Sequence, residues 1–445
     1  MLRPYGYNPP AMRPIFALLF SLALLAACTS SSPAPTRSGA SAMDDTARAY
    51  VRLVLAVGVH DGNYVDAYYG PADVRTEVEA EKLPLAEIRT RAERLRAGLG
   101  GISPAKDDPL VELRHAYLER QLGSLIAHVE QLEGKKRSFD EESLALYDAV
   151  APKQTEKDFD PVLAELERTV PGTGPLGERI QAFRDRFTIP ADKLDAVFRA
   201  AIHECRARTL AHLSLPPNES FEVEYVKGKP WSAYNWYKGD LHSLIQVNTE
   251  LPILIDRAID LACHEGYPGH HVYNALLEKN LVRDRGWVEF TVYPLFSPQS
   301  LIAEGTANYG IEVAFPGNER TTFERDVLYP IAGLDPKEAE HYTETLQLVG
   351  KLDYAGNTAA RRYLDGEINA PQAVEWLQHY ALSSGARSKQ RVSFFDTYRS
   401  YVINYNLGRD LVRTYVEGKS GGDPEKRWQV FGELISSPRL PSGLR

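Results

Sequence analysis

Three of the chain's 11 histidines fall within the eight positions His264-Glu265-Gly266-Tyr267-Pro268-Gly269-His270-His271. Imidazole nitrogens and carboxylate oxygens are ligands suited to zinc, and a helical histidine followed by glutamate opens many zinc hydrolase sites. Two helical histidines four residues apart both reach one ion, being about 40° and about 6 Å apart. Here the fourth position is Pro268. On an unbroken helix His270 would point about 240° away from His264, and His271 would face correctly but lie about 10 Å along the axis. Pro268 has no N–H to return to the carbonyl of His264, and Gly269 permits the dihedrals of a detour. A local bulge of two residues would carry His270 to where the fourth residue normally sits. His264 and His270 are therefore the expected metal ligands, with Glu265 as general base toward water. His271 is expected beside them as a donor to substrate, its alternative being to replace His270 as ligand.

These residues need a helix to carry them. Thr249 offers an N-cap, with Glu250 and Pro252 in the first turn. Ile255, Ile259 and Ala262 form a buried stripe, while Asp256, Asp260 and His264 recur on the other face. Asp260, one turn before His264, is placed to orient its imidazole, unless it belongs to a solvated face. Just upstream, Phe221–Tyr225 alternates like a strand, Lys238-Gly239-Asp240 reads as a turn, and Leu244–Val247 as a strand. Between them lie Trp231, Tyr234, Trp236 and Tyr237, for which packing under a small sheet is the commoner role and lining a cleft the other.

The rest is strongly helical. Tyr50, Leu53, Val54 and Val57 repeat at helical spacing, as do Leu118, Leu122, Leu125, Ile126, Val129 and Leu132. Amphipathic runs cover 86–98, 158–169, 176–187 and 191–213, punctuated by Pro152, Pro171, Pro175 and Pro190. The reading is a mainly α protein, with a helical scaffold lobe at 43–220 and a catalytic lobe at 221–445. The small β-sheet or hairpin lies next to the active-site helix.

Composition is that of a globular protein, with 43% hydrophobic and 25% charged residues. A net charge of −9 implies no domain-sized basic surface, which argues against nucleic acid as a partner. Residues 1–27 read as an export signal: Arg3 and Arg13, then an apolar run from Ile15 to Ala27 too short to span a bilayer comfortably. Leu25-Ala26-Ala27-Cys28 looks like a bacterial lipobox, with Cys28 as the lipidated residue and residues 28–42 as a Ser/Pro-rich tether. Thr29 after the cysteine favours the outer membrane, so the chain is expected in the cell envelope, lipid-anchored and facing the periplasm. Cys205 and Cys263 are the remaining cysteines, read first as two buried apolar thiols, with a disulfide between them as the alternative in an oxidising compartment.

The octapeptide His264–His271 resembles the HExxPGHH signature of a large bacterial family known as domain of unknown function 885. Its members are regarded as zinc peptidases of the gluzincin type with a predominantly helical fold, which implies a helical metallopeptidase-like fold with a deep cleft. The resemblance covers most of the chain beyond the tether, more firmly after about Tyr225. Ala303-Glu304-Gly305-Thr306-Ala307-Asn308-Tyr309 resembles the family's EGWALY-like segment, whose glutamate binds metal. Thr306 stands where tryptophan is usual. Glu304 is thus implied as third ligand on a helix opened by Ser297-Pro298, and Asn308, one turn on, as a hydrogen-bond donor to a ligand histidine or Glu304. Late in the chain, Tyr401 to Arg409 looks like the family's YxxG segment. Gluzincins commonly stabilise the oxyanion with a tyrosine hydroxyl, which implies Tyr405 in that role and Tyr401 as its substitute.

The expectation that results is a lipid-anchored, zinc-dependent hydrolase, foremost a peptidase acting on short peptides. The alternatives are a non-peptide amide or ester hydrolase with the same site, and a non-catalytic metal-binding lipoprotein of the envelope. A structural zinc is normally closed by four protein ligands, and three candidates favour an open position.

Overall fold

The periodic apolar runs become helices in the computed structural model, which describes residues 39–445 apart from Pro230. The lipidation residue expected at Cys28 lies outside the described residues. The first helix, Gly39–His60, starts before the expected end of the tether and buries Tyr50, Leu53, Val54 and Val57. Pro109–Leu132 buries Leu118, Leu122, Leu125 and Val129 on one face, and Asp108 caps it by accepting from the backbone N–H of Leu110 at 3.0 Å. The other amphipathic runs form helices Leu85–Leu99, Glu156–Thr169, Leu176–Asp185 and Leu194–His212. Pro152, Pro171, Pro175 and Pro190 all lie between helices, where the missing N–H costs nothing. The fold is mainly α. No helix among the described residues is long and apolar enough to cross a membrane.

Two small sheets interrupt the helices. One pairs β1, Val65–Tyr68, antiparallel with β5, Val292–Pro294, and was not expected from the sequence. The other contains β2, Ser220–Val226, β3, Ala233–Gly239, and β4, His242–Asn248, in the order β2-β4-β3. β2 runs parallel to β4, while β3 and β4 form a hairpin closed by Asp240 and Leu241, both with positive φ. The expected strands at Phe221 and Leu244 are present, and the aromatic stretch between them is itself a strand. Ser243, Ile245 and Val247 alternate inward from β4, the last two packing with Phe198 and Leu261.

The helix before the histidines starts later than Thr249 suggests, running Asp256–Leu261. Its expected first turn is recruited elsewhere. The backbone N–H of Thr249 donates to Val226 at 2.9 Å, prolonging the sheet. Ile189 donates to the carbonyl of Ile253 and Ile255 to that of Phe187, each at 2.9 Å, so this stretch is extended beside residues 187–189. Tertiary backbone pairing outcompetes the local capping signal.

Candidate metal centre

The helix widens as it reaches the motif. Ala262–Gly266 forms a π-helical turn, a form that recurs at functional sites, and Tyr267 donates back to the carbonyl of Ala262 at 3.2 Å. The chain leaves the helix at Tyr267, crosses a cis bond to Pro268, and restarts as helix His270–Leu277. Gly269 donates to the carbonyl of Cys263 at 2.9 Å. A Cβ on Gly269 would stand 1.9 Å from the carbonyl oxygen of His264, so only glycine allows the backbone to fold back this closely.

The result is convergence. His264 Nε2 and His270 Nε2 are 3.1 Å apart, and Glu304 Oε2 lies 3.4 Å from the first and 3.8 Å from the second. Donors around one tetrahedral ion at zinc bond lengths sit about 3.3 Å apart, so the triangle fits one ion. His264, Glu265 and His270 also bring one donor atom each within 4.8 Å of one another. Glu304 Oε2 is buried and accepts no hydrogen bond, whereas buried carboxylate oxygens are ordinarily satisfied. The site therefore fits a metal on an atom left without a partner as well as on spacing.

Glu304 is placed by its helix and held by a neighbour. Pro298–Ala314 begins with Ser297 as N-cap and Pro298 in its first turn. It touches the helix Ile403–Ser420 backbone to backbone: a Cβ on Gly305 would meet the carbonyl carbon of Gly408 at 2.5 Å, and one on Gly408 the carbonyl oxygen of Leu301 at 2.7 Å. That approach brings the start of the second helix to the site. Tyr401 is buried and donates to Glu304 Oε1 at 3.0 Å, and Oε2 is left without a hydrogen bond. Tyr405 instead is 40% exposed, yet burial raises its phenol well above its ordinary pKa, with Glu304 and Glu265 adding to the shift. Asn308 donates to the backbone carbonyls of Glu304 at 3.0 Å and Tyr405 at 3.2 Å, fastening the two helices rather than touching a ligand side chain.

Electrostatics follow from packing imidazoles against acids. Although burial opposes it, His264 and His270 hold the Glu304 carboxyl far below the usual range. Burial works against the charged form of His270 too, but Glu304, Glu265 and Asp66 push it up to about 9.

Three expectations are corrected. His271 is fully buried, and its Nε2 donates to Glu219 Oε2 at 2.9 Å while Ser243 Oγ lies 2.9 Å from its Nδ1. With both ring nitrogens engaged it is neither metal ligand nor substrate donor. Asp260 accepts from Arg257 at 2.9 Å and Arg320 at 2.8 Å, and no bond joins it to His264, because two guanidiniums outcompete an imidazole for it. Cys205 and Cys263 are joined in a disulfide with Cα atoms 5.7 Å apart, tying helix Leu194–His212 to the turn that carries His264.

Sequence reasoning missed several residues around the site. Asn235 on β3 donates to the carbonyl of Glu265 at 2.7 Å, docking the sheet on the motif. Glu219 gathers Tyr267 at 2.6 Å, Arg206 at 2.8 Å and His271. Asp66 on β1 senses His270, Glu304 and Glu265 electrostatically and accepts a hydrogen bond from Tyr234. The aromatic stretch divides its work: Tyr237 is buried and donates to Glu278 at 2.6 Å, whereas Trp231, Tyr234 and Trp236 are half-buried. A carboxylate 198 positions before His264 and 238 before Glu304 carries no local signal; only the fold brings Asp66 here.

No family model and no curated protein matches the chain. Among solved structures it is similar to one described as a lipoprotein from Colwellia psychrerythraea, with 15% identity and a TM-score of 0.49 over 83% of this chain and 65% of that one. The chain thus spans about two thirds of that protein's length. A lipoprotein of unknown function from Shewanella oneidensis gives 14% identity and a TM-score of 0.48 over 87% of this chain and 80% of that one. An M32 carboxypeptidase from Deinococcus radiodurans R1 gives 12% identity and a TM-score of 0.43 over 90% and 91% of the two chains.

Proposed function

We propose that the chain is a zinc-dependent hydrolase whose substrates are peptides. The observation that carries this reading is the triangle of His264, His270 and Glu304, with an orphaned carboxylate oxygen at one corner and Glu265 next to another. A donor set of two imidazoles and one carboxylate is one that zinc accepts with a position left over for water or substrate. When bound, zinc supplies Lewis acidity toward water and a carbonyl oxygen. Glu265 takes the proton from the attacking water and returns it to the leaving nitrogen. Tyr405, solvent-facing beside Glu304 and Glu265, donates its phenolic hydrogen to the developing oxyanion. Tyr401 and Asn308 keep Glu304 and the tyrosine-bearing helix in register. On the lipobox reading of Cys28, the enzyme is anchored in the bacterial envelope and works on the periplasmic side.

Metal analysis followed by digestion of a mixed peptide library, with and without chelator, tests the proposal. One equivalent of zinc and chelator-sensitive cleavage are expected. Glu265→Gln should retain the zinc and lose hydrolysis by about 10²–10⁴-fold. Zinc without cleavage of any peptide would overturn the peptidase reading, and full activity in Glu265→Gln would remove that residue from the mechanism.

A further inference from the structure

The disulfide between Cys205 and Cys263 takes no part in the proposed chemistry, yet Cys263 directly precedes His264 in the chain. Both cysteines are fully buried. Cys263 is held twice. Its sulfur is bonded to Cys205, and its backbone carbonyl accepts from Gly269 at 2.9 Å, closing the detour that leads to His270. Whatever fixes Cys263 therefore bears on both histidines.

The other end of the disulfide lies on a helix that also reaches the third ligand. Helix Leu194–His212 carries Arg206 and Arg208 in the turn after Cys205. Arg206 donates to the Tyr267 hydroxyl at 3.3 Å, inside the detour. Arg208 donates to the carbonyl of Ala314 at 2.9 Å, the last residue of the helix that bears Glu304. One helix thus grips the turn of His264 through a covalent bond and the helix of Glu304 through a charged hydrogen bond. Ligands on separate elements close around one ion only when their supports hold them to within about 0.5 Å. Of these ties, the disulfide is the covalent one.

We infer that the Cys205–Cys263 disulfide is a positioning element of the metal centre, and that tight metal binding is acquired only when these two thiols are oxidised. The inference rests on the proposed metal site and adds how that site is completed. One cysteine thiolate attacks an external disulfide, giving a mixed disulfide and releasing half of the carrier as thiol. The second cysteine thiolate attacks the chain's own sulfur in that intermediate and expels the other half. Two electrons pass to the carrier, whose S–S bond is replaced by the one between Cys205 and Cys263. Both protons lost by the cysteines end on the carrier's thiols. Once packed, both sulfurs are sealed from solvent, so the bond forms before the helix closes over the turn and is not exchanged afterwards. The metal centre is completed in an oxidising compartment and left incomplete in a reducing one.

The test is zinc titration against a competing chelator, with circular dichroism to confirm folding. The oxidised chain is compared with Cys205→Ala/Cys263→Ala, and with His271→Ala as a control for lost stability alone. The doubly substituted chain should stay helical and bind zinc about 10–100-fold more weakly, while His271→Ala keeps its affinity. Cobalt in place of zinc gives a second readout: its visible bands, which report ligand geometry, should change in the double variant and not in the control. Should the double variant fail to fold, the unmodified chain decides. Unfolded with a phosphine reductant and diluted into zinc, it should take up the metal only once excess oxidised glutathione is added, in step with loss of the Cys205 and Cys263 thiols. Undiminished affinity in the double variant, an equal loss in His271→Ala, or zinc uptake complete while both thiols are free overturns the inference and leaves the metal reading standing. An oxidised chain that binds no zinc overturns both.

Discussion

His270 and His271 are adjacent, yet they belong to two clusters with opposite outcomes. Around Glu219, His271, Tyr267 and Arg206 satisfy both carboxylate oxygens, and the imidazole is fully buried. Around Glu304, Tyr401 satisfies one oxygen, and the other faces two imidazole nitrogens without a hydrogen bond. The same residue types build a closed hydrogen-bonded knot in one place and leave a carboxylate oxygen without a hydrogen bond in the other. Capacity for chemistry lies in what the fold leaves unpaired, and the satisfied neighbour holds it in place. The Glu219 knot anchors both Tyr267 and His271, on either side of the Pro268-Gly269 detour that presents His270.

Substitutions can break this contrast. Glu304→Gln or His270→Ala should reduce bound zinc from about one equivalent to near zero by elemental analysis, because two remaining protein ligands do not retain the ion. His271→Ala should keep its zinc but unfold more easily by roughly 2–3 kcal/mol in denaturant titration, through a cavity and a weakened Glu219 cluster. Zinc loss in His271→Ala with stability unchanged would reverse the assignment of the two histidines. Tyr401→Phe removes only the bond that orients Glu304, so zinc affinity should fall about 10–100-fold in competition with a chelator.

A pH dependence separates the two histidines further. In the metal-free protein His270 is raised from 6.5 to about 9, so the stability it contributes is full below about 6.5 and is lost as pH rises through about 9. Zinc requires the neutral imidazole and must displace that proton. Apparent zinc affinity should therefore climb up to about tenfold per pH unit from 6.5 toward 9, then flatten. Calorimetry near neutral pH in buffers of different ionisation enthalpy should show about one proton released per zinc. The His271 cluster, closed to metal, should contribute none of this release.

Much of the site was legible because its signals are local. The run of histidines, the glutamate after the first, and the Pro268-Gly269 interruption lie within one short stretch, and helix geometry alone rules out His264 and His270 as partners on a regular helix. The observed π-helical turn and restart supply the detour in a form the spacing did not specify. Glu304 and the two tyrosines came from a resemblance, and exchanging neighbours settled their places: Tyr401 touches the glutamate, while Tyr405 opens to solvent.

By itself the sequence determined the helical periodicity, the proline boundaries and the interrupted motif, because these depend on residues within a few turns of one another. Tertiary structure alone decided the rest. It chose which carboxylate each histidine meets, turned Asp260 toward arginines, paired Cys205 with Cys263, delayed the helix after Thr249, and brought Asp66 within electrostatic reach of His270 and Glu304. Each of those outcomes is a competition between partners distant in sequence, and only packing determines which of them arrives within bonding reach.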